Sequence, residues 1–162
     1  FEIEKFLEFK NIILQTDFKY NNIKNFYYFP SGRWDIETIS GVLIKLPITE
    51  IKESLTLSTD LLAKLQKASA VLSLPDLVLE SNGTVVTLNV RDKKNPSSNQ
   101  FSEVIMDGDG QTYTMNFKME NIKVVKDEYT VKVSSKGLSQ FVAKNKGLEY
   151  FIALEPDSVF GS

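Results

Sequence analysis

Among the side chains that could do chemistry, lysine dominates, and histidine and cysteine are missing altogether. Of nineteen basic residues only Arg33 and Arg91 are arginines, set against twenty-one carboxylates. Without His the commonest general base and the commonest metal ligand are both gone. Without Cys there is no thiol nucleophile and no disulfide framework, which allows a reducing compartment. No P-loop, dinucleotide fingerprint, zinc spacing or nucleophile elbow occurs. Asp107-Gly108-Asp109-Gly110 opens like a calcium loop, but the remaining ligand positions and the closing Glu are absent, so it reads as a turn. The expectation is a non-enzymatic protein with no catalytic residue, no metal and no cofactor. What remains is charge. Lys64 and Lys67 lie together in one apolar-periodic segment, and Lys118, Lys123 and Lys126 surround a second. Lysines gathered on one face attract phosphate without reading bases, even at a net charge of −2. On a lone helix such lysines are more simply a solvated face. Arg91, Lys93 and Lys94 form a basic turn, read first as an exposed loop and second as a phosphate contact.

Those lysines need elements to hold them. Hydrophobic residues make up 42% of the chain and charged residues 25%, a globular balance, and no apolar run is long enough to span a membrane. The 162 residues suffice for one ordinary domain or two small ones. The chain begins at Phe1 with no Met, consistent with a fragment or a processed product. It divides near residues 41–47. In the first segment, Ile3, Phe6, Leu7, Ile13 and Leu14 recur at near-helical spacing and predict a short amphipathic helix over 1–9, with a strand as the alternative. Ile12-Ile13-Leu14 and Phe26-Tyr27-Tyr28-Phe29 read as short strands, the second stopped by Pro30-Ser31-Gly32. These elements are too few to close a core alone.

The second segment carries an internal repeat. Strand 51–57, helix 58–72 and strands 77–80, 85–90 and 101–106 are followed by strand 112–117, short helix 119–125 and strands 129–133, 140–143 and 150–154. At a shift of sixty positions, Leu55, Leu57, Asp60, Leu62 and Leu65 fall on Met115, Phe117, Glu120, Ile122 and Val125. Beyond the helices, at a shift of fifty-four, Asn82-Gly83 falls on Lys136-Gly137, and both pairs are hairpin-turn chemistry. The fold class is therefore α+β, with tandem β-α-β-β-β units and helices on one face of antiparallel sheets. Ser58 or Thr59 caps the first helix. Leu61, Leu65, Ala68 and Leu72 form its apolar stripe, with Lys64, Lys67, Gln66 and Ser69 directed elsewhere. In the second helix Ile122 and Val125 face inward, leaving Lys118, Lys123 and Lys126 free to point outward.

Here the sequence resembles a known family. The run Thr112-Tyr113-Thr114-Met115-Asn116-Phe117-Lys118-Met119-Glu120-Asn121-Ile122-Lys123 looks like the last strand–helix unit of DNA polymerase sliding clamps of T-even-type phages. The ending Tyr150-Phe151-Ile152-Ala153-Leu154-Glu155-Pro156-Asp157-Ser158 is similar to their carboxyl end. Leu72-Ser73-Leu74-Pro75 and Val90-Arg91-Asp92-Lys93-Lys94-Asn95 are similar to marine members, and Phe26-Tyr27-Tyr28-Phe29-Pro30 fits the end of the preceding clamp domain. The resemblance implies the processivity fold: the later half of a first domain over 1–40, a connector at 41–47, and a complete C-terminal domain over 48–162 with repeats at 48–108 and 111–156. It implies closed homotrimeric rings around duplex DNA, a clamp loader, and a replicative polymerase tethered through its C-terminal peptide. Lys64, Lys67, Lys118, Lys123 and Lys126 would face the DNA. Val42, Leu43, Ile44, Ser134, Ile152, Leu154 and Pro156 would border the partner pocket, with Ser134 standing where the family has Trp. Structurally, Ile152 and Leu154 are equally readable as core strand residues. Phe26 and Tyr28 of one subunit would meet Phe101, Val104 and Met106 of the next. The resemblance also implies a virus-encoded protein at work in the host cytoplasm, with no membrane partner.

Two other classes compete. One is a β-rich structural or adhesion module of a virion, which needs no basic stripe on its helices. The other is a clamp-fold single domain that binds a polymerase tail without forming a ring.

Overall fold

The computed structural model of the chain describes residues 2–14, 19–29, 34–45 and 51–161, in two compact units, Phe1–Pro47 and Ile48–Ser162. The first unit begins with helix α1 (Glu2–Leu14), followed by a 3₁₀ turn at Tyr20–Asn22. Strands β1 (Ile23–Tyr28), β2 (Trp34–Thr38) and β3 (Leu43–Lys45) then form an antiparallel sheet in the order β1-β2-β3. Helix α1 runs further than its sequence suggests, because Ile12-Ile13-Leu14 continues the helix and is no strand. The reason is the face it buries: Phe9 and Ile13, one turn apart, pack on Ile36, while Ile3, Leu7 and Leu14 stay exposed. Phe9 stacks on Trp34 at 4.8 Å between ring centroids and meets Phe26 edge-on at 5.9 Å, an arrangement aromatic quadrupoles favour.

Two other expectations change in this unit. Strand β2 has no counterpart in the sequence reading, and residues 43–45, expected in a connector, form strand β3. Gly41, at φ +83°, lets the chain turn back from β2, and Thr38 donates its amide to the Val42 carbonyl to close the hairpin. Ile44 packs against the aromatic cluster. The stop at Pro30-Ser31-Gly32 and the connector's end at 46–47 lie outside the described residues.

In the second unit β4 (Ile51–Leu57) leads into helix α2 (Thr59–Leu72) and strands β5 (Asp76–Asn82), β6 (Val85–Arg91) and β7 (Phe101–Asp107). Then come β8 (Thr112–Lys118), a 3₁₀ turn at Met119–Asn121, and strands β9 (Tyr129–Ser134), β10 (Leu138–Ala143), β11 (Glu149–Ala153) and β12 (Val159–Phe160). The two repeats exchange their first strands. Strand β4 completes the sheet β11-β10-β9-β4, and β8 completes the sheet β12-β8-β5-β6-β7. Registers agree across the exchange: Leu55 faces Val131 and Leu57 faces Tyr129, as Met115 faces Leu79 and Phe117 faces Leu77. This is the signature of a pseudo-twofold. The Tyr113 hydroxyl donates to the Glu53 carboxylate, linking two positions that the sixty-residue repeat makes equivalent.

One core joins both sheets to α2, with Leu62, Leu65, Leu79, Val90, Met115, Tyr129 and Val133 almost wholly buried. Burying apolar area on this scale is what fixes the exchange of strands. The hairpin turns are as expected, with Gly83 and Gly137 at φ +88° and +78°. The 107–110 turn packs on the first of them. A β-carbon on Gly108 would stand 2.6 Å from the Gly83 carbonyl oxygen.

Candidate nucleic-acid interface

Helix α2 starts where Ser58 accepts a hydrogen bond from the Leu61 amide, a side-chain N-cap, with Asp60 beside the positive end of the dipole. It ends at Ser73 in the left-handed region, followed by Pro75. Its buried face is Leu62 and Leu65, not the stripe through Ala68 and Leu72: Leu72 is partly exposed and Val71 is 70% exposed. Two polar residues expected on the outer face turn inward instead. Ser69 donates to the Leu74 carbonyl at 2.7 Å, and Gln66 donates to the Ile122 carbonyl at 3.0 Å. Satisfying those carbonyls sets how the helix rolls on the sheet.

The second helix is a single 3₁₀ turn, not a helix over 119–125. Ile122 is buried as expected, but Val124 takes the inward place given to Val125, which is exposed. With only three helical residues and an irregular stretch after them, helical periodicity does not apply to 122–125. The Gln66–Ile122 bond nevertheless places this turn directly beside α2.

The five lysines fall into three states. Lys67, Lys123 and Lys126 are exposed and hold no ion pair among the described residues. Lys64 is exposed too and reaches Glu103 at 3.2 Å, a surface pair worth little in water. Lys118 is not free. Its ammonium lies 2.5 Å from Asp76, a carboxylate only 1% exposed, and 4.0 Å from Glu155. Burial pushes Asp76 up, but hydrogen bonds from Lys118 and from the Lys93 amide outweigh it and hold Asp76 below the usual carboxylate value. Lys118 is thus a structural counter-ion. The basic turn is likewise occupied: Arg91 pairs with Glu80 at 3.3 Å and Lys93 with Asp157 at 2.8 Å.

The remaining candidates also have definite places. Ser134, Ile152 and Leu154 are buried, the last two in the main core, whereas Pro156 is exposed. Val42 and Leu43 are exposed in the first unit, and Ile44 is half-buried. Strand β7 is a sheet edge carrying Val104 at 61% exposure, with Phe101 and Met106 half-buried against the core. Strand β1 is an edge as well, but Phe26 turns into the aromatic cluster and Tyr28 packs against Trp34 at 4.7 Å, so these rings do not point outward. Sequence reasoning missed the Asp76–Lys118 pair, whose partners are forty-two positions apart, and no local signal announces it. Among the described residues no helix is long and apolar enough to cross a membrane, and no group of three or more acidic side chains is placed to hold a metal ion.

Comparison with known proteins agrees with this architecture. Residues 54–156 match the family model described as gp45 sliding clamp, C terminal. The sliding clamp of Vibrio phage KVP40 is 31% identical over an alignment covering 67% of this chain and 55% of the relative. The chain therefore spans about half the length of that relative. An exchanged pair of β-α-β-β-β repeats in α+β architecture, together with a family match across nearly the whole second unit, gives one conclusion: the chain belongs to the gp45 sliding clamp family.

Proposed function

We propose that this chain is part of a sliding clamp that encircles duplex DNA and tethers a replicative polymerase as its processivity factor. The observation that carries the reading is that Lys67 on α2, and Lys123 and Lys126 after the turn beside it, are exposed with no ion pair among the described residues, while Lys64 is held only by a surface pair. Flexible, exposed ammonium groups attract phosphates weakly and read no base edge, which suits a protein that must hold DNA and still slide. Lys118 drops out of the set, since its charge is spent on Asp76.

A ring requires strand edges that pair between subunits. In the second unit the strand after each helix, β5 or β9, is flanked by the first strand of the other repeat, while β7 and β11 lie at the ends of their repeats. The order α1-β1-β2-β3 matches α2-β5-β6-β7. By that equivalence the outer edge of β3, and not that of β1, corresponds to the β7 edge, and we assign the contact between subunits to β7 and β3. On the same reading the polymerase is held through its apolar C-terminal peptide. A clamp loader and the host cytoplasm follow from the same reading.

The test is polymerase run length on primed single-stranded circles with the full-length protein carrying Lys64→Glu, Lys67→Glu and Lys123→Glu. Run length should fall, equally on all template sequences, while the fold is unchanged by circular dichroism. Undiminished run length means these lysines are ordinary surface and the reading of the DNA face is wrong.

A further inference from the structure

We propose that the outer edge of β8 is a docking site for an extended acidic–apolar peptide of a partner protein, and that the segment 155–160 is a displaceable strap resting on it. The strap is poorly matched to the edge it covers. The Glu155 amide donates to the Asn116 carbonyl at 2.8 Å, but the chain then leaves the strand in a turn closed by the Ser158 amide on the Glu155 carbonyl. Pro156 and Asp157 occupy the corners of that turn, where Pro is favoured and has no amide to give the ladder. Regular pairing resumes for only two residues, Val159 with Thr114 and Phe160 with Tyr113.

Around the turn, side chains stand in for backbone. The Asn116 amide donates to the Ser158 hydroxyl at 2.9 Å, and the Asn116 side-chain nitrogen donates to the Asp157 carbonyl at 3.2 Å. The other end of that side chain is left over. Asn116 is 97% buried, and its Oδ1 has no hydrogen-bond partner. An orphaned buried acceptor costs about 1–3 kcal/mol, and a donor brought by a better-fitting strand would recover it. Beside it a cleft of about 410 Å³ opens, lined by Thr114, Asn116, Arg91, Lys93, Asn95 and Gln100 among others. The strap itself indicates what the cleft takes. Asp157 gives its carboxylate to Lys93, and Phe160 lays its ring against the core. A peptide with an acidic residue two or three positions before an aromatic one reproduces both contacts. By running straight through the turn it also presents a donor to Asn116.

This holds whether or not the chain acts in a ring. The test uses a fluorescein-labelled peptide Thr-Asp-Ser-Val-Phe and the whole chain, followed by anisotropy. Val159 is 61% exposed, so Val159→Pro unpairs the strap while sparing the core. If the strap covers the edge about nine-tenths of the time, that variant binds the peptide about tenfold tighter than the unaltered chain. Adding Lys93→Glu to it should weaken binding by at least tenfold, with far-UV dichroism unchanged. Equal affinity of the unaltered and Val159→Pro chains, or indifference to Lys93→Glu, overturns the proposal. So does a Val159→Pro chain that binds no peptide but dimerises by light scattering, since the occupant would then be a second copy's strap.

Discussion

Lys118 and Glu37 show how differently a charge behaves when its surroundings are dry or wet. Lys118 sits against a carboxylate that has almost no water of its own, so removing the ammonium strands Asp76. Lys118→Ala should cost on the order of 2–3 kcal/mol in urea unfolding at pH 7, less than the ~3–5 kcal/mol of a wholly buried pair because Lys118 is partly solvated. The loss should shrink in acid, where the stranded Asp76 takes up a proton instead. A constant loss from pH 7 to pH 3 would show that the pair is not what holds this corner. Glu37 is bonded by Asn25, Lys24 and Tyr27, which lower its pKa from 4.5 to about 2. A depressed carboxylate stabilises fully above its unfolded value and loses that contribution as pH falls through the folded one. The first unit should therefore weaken between about pH 4.5 and pH 2, and Glu37→Gln should flatten that dependence; an NMR titration of Glu37 near 4.5 would contradict both. Neither Asp76 nor Glu37 could be singled out from sequence, since they are two carboxylates among twenty-one and only tertiary partners distinguish them.

Elements follow from local pattern wherever alternation or repeat constrains them, and depart from it where tertiary partners choose the face. Strands β5 to β11 were legible because alternating apolar residues and two hairpin turns fix their register, and a slip of one residue would turn every core side chain outward. Strand β2 was not, since Trp34, Asp35, Ile36 and Glu37 carry two acids in four residues, and Asp35 is nonetheless buried. Helix α2 was legible in extent but not in roll. Leu61, Leu62 and Leu65 allow two stripes, and the carbonyls of Leu74 and Ile122 decide between them by recruiting Ser69 and Gln66. That choice is testable. Leu65→Ala should cost about 2–5 kcal/mol, as large-to-small changes in a packed core do. Val71→Lys should stay within about 0.5 kcal/mol, as exposed substitutions do. A large loss at Val71 instead would mean the helix face is covered by something other than water.

At the scale of the whole molecule, the question is which edges of the two sheets find each other. Open edges carry unpaired amides and carbonyls and tend to recruit strands, so in the proposed ring subunits should meet along the edges that the fold leaves uncovered. The family and its tandem repeats were legible from the sequence because a repeat is a long-range signal, whereas the exchange of their first strands was not. The assignment of edges was not, because it depends on which strand the fold places outermost, and Phe26 and Tyr28 turned out to pack inward. In the second unit β5 is covered by β8 and β7 is open. The first unit repeats the same order with β1 in the place of β5 and β3 in the place of β7. The absence of cysteine makes this directly measurable, because introduced thiols are the only ones. In the full-length protein, if it too lacks other thiols, Val104→Cys with Leu43→Cys and a short bis-maleimide should give covalent multimers that collapse to a closed trimer at complete reaction. Val104→Cys with Asn25→Cys should stay at monomer mass, since β1 holds the place of β5 and not that of the open β7. The short linker absorbs a register error of one or two residues, which a direct disulfide would not tolerate. Crosslinking through Asn25 and not Leu43 would return the contact to β1, and it would mean that the two units are not built on the same plan.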